Sequence, residues 1–335
     1  MKKYIPIFIV LFILLNLTAF TQDAKQALET SRNFMLKGDH SNAVLVLNRA
    51  LKTNPKNIEL MKSLAYNYYM QKNYSKALET IKVALDKDDV DDQCFQIAGN
   101  IYIEMENVKD AEKNYKKGIK KFPDSGPLYN ELGELLWTQH NFDAIKEWEE
   151  GIEMDPGYSM NYYNAARYYY MNADYIWSAI YGEFYINMDP LSANTPELKT
   201  ILLESYKRIF TDEDLTKNYK SKNLFAEAFI KCMNKQSSIA AMGINTESIT
   251  MIRTRFNLDW FNEYAAKFPI RLFDLQKQLL QNGMFNAYNQ WIFGTAENLP
   301  AYENWINTHS DEYAEFSRFQ KGRIFKIPKG QYYHQ

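Results

Sequence analysis

Histidines, cysteines and clustered carboxylates are the side chains from which this 335-residue chain could build metal, nucleophilic or acid–base chemistry. Its four histidines, His40, His140, His309 and His334, include no His-x-x-x-His pair and none stands beside a Cys-x-x-Cys, so the usual zinc spacings are missing. His40 and His140 fall in turns between helical stripes, where an exposed polar residue is ordinary. Cys94 and Cys232 are the only cysteines; 138 residues apart and inside expected helices, they read as two buried free thiols. Thr308-His309-Ser310-Asp311 resembles a ligand cluster, yet Thr308 followed three residues later by Asp311 also spells a helix capping box, the reading preferred here. Glu147, Glu149, Glu150 and Glu153 surround Trp148 and are expected to form the solvated side of a helix. No Gly-rich phosphate loop or nucleophile elbow is present. The expectation is a non-catalytic chain with no cofactor and no metal.

The elements that must carry these residues are long and regular, since the chain has 46% apolar and 24% charged residues but only 13 Gly and 10 Pro. At the N-terminus, Met1, Lys2 and Lys3 precede an apolar run from Ile5 to Leu15 and a small, polar stretch from Asn16 to Thr21. That order predicts a secretory signal peptide over 1–21, cleaved between Ala19 and Gln22. A membrane span needs about 20 apolar residues. Here Asn16 interrupts the run after eleven, and no cysteine follows to carry a lipid. The expected location is periplasmic or secreted, with no stable membrane span after cleavage. Loss of Lys2 and Lys3 moves the formal charge from −2 to −4, which argues against a nucleic-acid partner. Lys321, Arg323, Lys326 and Lys329 gather in the tail and read as a solvated terminus.

The strongest internal signal is a recurrence of small, bulky, small, then Pro or Asp. It appears as Ala43, Leu47, Ala50, Pro55, then Ala77, Ile81, Ala84, Asp89, then Ala111, Tyr115, Gly118, Pro123. Ala144, Trp148, Gly151, Pro156 and Ser178, Gly182, Tyr185, Pro190 continue it, at intervals of 34, 34, 33 and 34 residues. Ahead of each block runs a second stripe on one helix face, such as Met61, Leu64, Ala65, Tyr68 or Tyr129, Leu132, Gly133, Leu136. Turn residues such as Lys37-Gly38-Asp39 and Lys72-Asn73-Tyr74 separate the stripes, so each unit is helix, tight turn, helix. Small residues let the two helices approach and bulky ones fill the next groove. Stacking then buries a face that one unit alone cannot cover.

This pattern resembles the tetratricopeptide-repeat (TPR) family over a 22–190 array, as five units at about 24–57, 58–91, 92–125, 126–158 and 159–190. The resemblance implies an all-α fold, a right-handed α-solenoid of helix hairpins, here followed by a helical C-terminal domain. It also implies that ligand contacts come from the concave wall formed by the first helix of each unit. Transferred position by position, that wall comprises Tyr66, Tyr69, Asn100, Ile103, Asn130, Glu134, Trp137, Tyr163, Arg167 and Tyr170. Aromatic rings mixed with amides and one Arg suit a peptide, offering contact area at low entropy cost and hydrogen bonds to an extended backbone. The Lys/Asn/Arg clamp by which some family members hold chaperone C-termini is not carried over, because Leu28 and Arg32 occupy its first positions.

After Pro190 the period is lost, although amphipathic stripes such as Leu198, Leu202, Tyr206, Phe210 keep the reading helical. Asn194-Thr195-Pro196 predicts a helix start with Thr195 as the cap. Ala287, Trp291, Gly294 copies the spacing of Ala144, Trp148, Gly151, which predicts a degenerate TPR-like unit at 269–302 within the 191–335 region. The function expected is an exported scaffold binding a protein or peptide partner through its groove. The alternative is that the repeats are an adaptor for an enzymatic or ligand-binding module in 191–335.

Overall fold

A computed structural model describes residues 23–211, 214–218 and 222–334, and among these every regular element is helical. The expected leader, 1–21, lies outside them. Two compact units divide the chain at Pro123.

In the first unit, α1 (23–36) and α2 (His40–Thr53), α3 (Ile58–Met70) and α4 (Tyr74–Leu85), and α5 (Asp92–Glu104) and α6 (Val108–Lys121) make three hairpins. Their second helices bury Ala43, Leu47 and Ala50, then Ala77, Ile81 and Ala84, then Ala111 and Tyr115, so the small and bulky positions form the core. Ala24 and Ala27 of α1 join Leu47, Ala50, Leu60 and Leu64 in one apolar cluster, which completes the first hairpin.

The second unit continues with α7 (Gly126–Thr138) and α8 (Ala144–Met154), then α9 (Ser159–Met171) and α10 (Tyr175–Met188). Then come α11 (Thr195–Ile209), the short α12 (Leu215–Asn218), α13 (Leu224–Asn234), α14 (Ser237–Ala240), α15 (Thr246–Glu263) and α16 (Arg271–Gln281). A bent helix follows: α17 (Phe285–Asn289), a π turn (Gln290–Gly294) and α18 (Thr295–Glu297), before α19 (Leu299–Thr308) and α20 (Ser310–Lys321). The fourth and fifth hairpins therefore share a compact unit with all the C-terminal helices. The consequence is clearest at α10, where residues Ile176 to Asn187 are all buried. Helices of the repeat type bury one stripe; this one is covered on every side.

Each hairpin turns at a residue with positive φ: Gly38 (72°), Lys72 (59°), Glu106 (57°), His140 (56°) and Ala173 (60°). The following N–H reaches back five residues, as from Asn73 to Tyr68 O (2.8 Å) and from Asn141 to Leu136 O (3.0 Å). This closure satisfies the orphan carbonyls at the end of the first helix. Asp39, Asn73, Asn107 and Asp174 then cap the second helix with their side chains.

Several local expectations change. Asn194 precedes α11, and Thr195 lies inside it with its hydroxyl donating to Asp189 O (2.7 Å). Thr308 ends α19, its hydroxyl donating back to Asn304 O and Trp305 O (both 3.1 Å), so the capping box with Asp311 does not form. The residue before α20 is His309, whose ring lies flat on Trp305 at 4.5 Å. A hairpin does occupy 271–297, and Gly294 allows α19 to approach, since a Cβ there would stand 3.1 Å from Tyr302 Cδ2. Its second helix is interrupted by the π turn, a break absent from the five regular hairpins.

The tail is also tied down rather than solvated. Phe325 and Ile327 are buried, Arg323 donates to Asn187 Oδ1 (3.0 Å), and Tyr333 stacks on Phe225 at 4.9 Å and 6°. Only Lys321, Lys326 and Lys329 of its four cations project into solvent.

Candidate functional site

The ten wall residues fall into two groups, described unit by unit. In the first unit, Tyr66 and Ile103 stand exposed, and Tyr66 stacks on Tyr69 at 6.5 Å. The Tyr69 hydroxyl donates to Glu104 (3.4 Å), and burial together with that carboxylate raises its pKa. Asn100 is committed internally, accepting from the Tyr115 hydroxyl at 2.7 Å. A recess of about 450 Å³ in this unit is lined by Asn48, Leu51, Met61, Leu64, Tyr68 and Val83 among others, and by none of the four wall residues.

In the second unit the sequence-derived residues converge. Glu134, Trp137, Tyr163 and Arg167 line one recess of about 250 Å³, together with Trp148, Tyr168 and Met171. Arg167 and Tyr170 line a neighbouring recess of about 420 Å³ with Met171, Glu197, Ile201 and Glu204. Because Arg167 and Met171 belong to both, the two recesses form one trough. The spacing of first helices in successive repeats puts α7 and α9 side by side, and close packing finishes the job. Gly133 of α7 leaves room for the Trp148 ring from α8, as a Cβ there would lie 2.6 Å from Trp148 Cδ1. Trp137, Trp148 and Tyr168 then pack mutually at centroid distances of 5.7–6.4 Å.

The polar side of the trough is preorganised. Asn130, buried beneath it, donates to Glu134 (3.0 Å), and Asn164 donates to both Asn130 (2.9 Å) and Glu134 (3.0 Å). Glu197 accepts from the Tyr163 hydroxyl (2.6 Å) and pairs with Arg167 Nε (3.0 Å), whose guanidinium sits 5.2 Å from the Tyr163 ring centre. Burial, then the bond to Glu197, pushes the Tyr163 hydroxyl up to about 12. Such a surface offers half-buried rings and fixed hydrogen-bonding groups with little left to reorganise.

Sequence reasoning missed Asn164, Tyr168, Met171 and Glu197 as trough residues. The first three were findable, since they follow Asn130, Glu134 and Trp137 by one repeat of 34 residues; Glu197 lies past the last repeat and had no register. Glu149, expected to be solvated, is instead enclosed. It accepts from the Tyr169 hydroxyl (2.5 Å) and pairs with His334 Nδ1 (2.8 Å), while the His334 ring stands edge-on to Trp177 at 4.7 Å.

Deeper in the same unit lies a buried ion pair between Glu183 of α10 and Arg253 of α15. Gln276 (2.9 Å) and the Tyr288 hydroxyl (2.8 Å) also donate to Glu183, and Asn289 accepts from Arg253 (2.5 Å). Tyr206, Phe285, Tyr288 and Phe293 enclose the guanidinium. The cluster joins the last repeat to the C-terminal helices. Cys94 and Cys232 are free and buried, and burial pushes both thiols up to about 12. Among the described residues no group of three or more His, Cys, Asp or Glu is placed to hold a metal ion. No helix among them is long and apolar enough to cross a membrane.

Helix hairpins repeated at a fixed interval, closed by the same turn and presenting a ring-lined trough, define an α-helical repeat protein. Its hairpin array is similar to that of tetratricopeptide-repeat proteins. The family model described as "Anaphase-promoting complex, cyclosome, subunit 3" matches residues 37–118. Human "Tetratricopeptide repeat protein 6" is 24% identical over 142 residues, 42% of this chain and 27% of the relative. Bovine "BBSome complex member BBS4" is 30% identical over 118 residues, 35% of this chain and 22% of the relative. The chain thus spans about a quarter of the length of these curated relatives. Among solved structures, pilF of Pseudomonas aeruginosa superposes with a TM-score of 0.48 at 14% identity, covering 59% of this chain and 88% of that one. A tetratricopeptide repeat protein from Parabacteroides merdae gives 0.42 at 16%, covering 78% and 99%.

Proposed function

We propose that this protein is an exported, non-catalytic scaffold that receives a protein or peptide partner in the trough bounded by Glu134, Trp137, Tyr163, Arg167 and Tyr170. One observation carries the reading: four wall residues implied by the family resemblance line a single recess with Trp148 and Tyr168, and Met171 stands 65% exposed between it and the next. Rings that are half-buried before any partner arrives give up little conformational freedom on binding. The export part rests on the charged, apolar and small-residue order of 1–21.

The test is capture of partners from the native envelope by the mature chain, followed by affinity measurements on variants. Tyr170→Ala and Trp137→Phe should weaken binding by about 1–3 kcal/mol, as at buried aromatic anchors. Lys116→Ala and Lys146→Ala remove exposed cations that pair locally with Glu112 and Asp143, and should be nearly neutral. Equal losses in both groups, or losses only from residues beyond 204, would move the site out of the trough. Recovery of the chain in the cytosol with Met1 intact would remove the export part.

A further inference from the structure

The trough's charge is lopsided. Its lining carries three carboxylates, Glu134, Glu197 and Glu204, against a single cation, Arg167. Arg167 is spent on Glu197 (3.0 Å), and Glu204 has an exposed neighbour in Lys207 (2.8 Å). Glu134 differs from both. Its hydrogen bonds come from the neutral amides of Asn130 and Asn164, and among the described residues it has no ion-pair partner. Two amides fix the carboxylate in place while leaving its charge uncompensated at the wall of a ring-lined recess.

Around it the surface is apolar. Trp137 and Tyr168 line the first recess with Glu134, Tyr170 and Ile201 line the second, and the exposed Met171 belongs to both. A cation beside Glu134 would meet a carboxylate in a recess that Trp137 and Tyr168 also line, and a ring face turned to it would add to the attraction for ammonium and guanidinium groups. Methionine thioethers adapt to varied apolar side chains.

Resting on the reading of the trough as a peptide site, we infer that its ligand is a basic–apolar segment: a Lys or Arg that pairs with Glu134, flanked by aliphatic or aromatic residues that seat on Trp137, Tyr168, Tyr170 and Met171. Acidic segments are disfavoured, because they would bring like charge against Glu134 and find Arg167 already engaged. Complementary charge of this kind raises the association rate and makes binding sensitive to salt.

Fluorescence anisotropy with the full chain tests this, using a short fluorescein-labelled peptide of alternating Lys and Leu/Tyr and its twin with every Lys replaced by Glu. The basic peptide should bind at least about tenfold more tightly than the acidic twin at low salt, with the gap narrowing as salt rises. Glu134→Gln keeps an acceptor for Asn130 and Asn164, so the fold should persist while affinity for the basic peptide falls about three- to tenfold. Glu204→Gln, at a half-buried carboxylate already paired with Lys207, is the milder companion variant. Failure of the basic peptide to bind, or an affinity unchanged by both Glu→Gln variants, overturns the inference. Equal binding of the two peptides that is lost in Met171→Ala and Tyr170→Ala would overturn the charge preference while leaving the trough as the peptide site. Binding unaffected by those last two variants would sink the trough reading itself.

Discussion

Gly133 gives the sharpest test of the packing logic, because two opposing effects can be weighed there. In an exposed helix, Gly→Ala gains about 1 kcal/mol from helix propensity. At Gly133 the new Cβ would stand 2.6 Å from Trp148 Cδ1 and 2.8 Å from Cε2, and nearer still to Nε1. These are three atoms of one rigid ring, so the whole indole must retreat by about 1 Å to reach ordinary contact near 3.5 Å. It has little room to do so, being 2% exposed and flanked by Trp137 (6.1 Å) and Tyr168 (6.4 Å). Overpacking of this kind costs about 1–3 kcal/mol, and a rigid ring belongs at the upper end. Gly133→Ala should therefore destabilise by about 1–2 kcal/mol net, lowering Tm by roughly 2–8 °C for a body of this size. Gly182 of α10, a helical glycine at the position that Trp148 holds one repeat earlier, is the control. Its Cβ would meet only Ala166 Cβ at 3.9 Å, an ordinary contact, so Gly182→Ala should be neutral or stabilising by up to about 1 kcal/mol. Thermal and urea unfolding by circular dichroism, with Trp fluorescence to follow the indole, would measure both. A Gly133→Ala protein as stable as Gly182→Ala would refute the close-approach argument.

Two further outcomes follow from buried charges. Lys199 is buried against the Trp291 ring (4.2 Å), donates to Trp291 O (2.6 Å), and burial lowers its pKa to about 8 from 10.5. Between those values the unfolded chain holds a proton that the folded chain has shed, so this group's contribution is full above about 10.5 and is lost as pH falls through about 8. The stability of wild type relative to Lys199→Met should consequently rise by about 2 kcal/mol between pH 7 and pH 9.5, read from urea midpoints at each pH; a flat difference would show that Lys199 titrates normally. Glu183→Leu or Arg253→Met alone should cost about 3–5 kcal/mol by stranding a buried partner, whereas the double variant should cost less than the sum. Strict additivity in that cycle would mean the pair does not act as a unit.

The repeat array was written in the sequence because its determinants are local and recur. Ala43-Leu47-Ala50 and its four copies fix which face each helix buries, and Lys37-Gly38-Asp39 and its counterparts mark the turn, whose positive φ falls on Gly38, Lys72, Glu106, His140 and Ala173. The same register placed Glu134, Trp137, Tyr163 and Arg167 on adjacent helices, so most of the trough was legible too. Four things were decided only by tertiary structure. Glu197 completes the trough from beyond the last repeat. Glu149 is enclosed by Tyr169 and by His334, whose own position comes from docking of the tail. Arg253 meets Glu183 across 70 residues, and α10 is covered on all sides because the C-terminal helices share its unit. These pairings join segments with no common period, and a charged residue on an amphipathic helix looks the same from the sequence whether water or a distant partner faces it. Only when the chain has closed on itself does the low-dielectric interior require the partner, since a buried charge left unpaired would cost several kcal/mol.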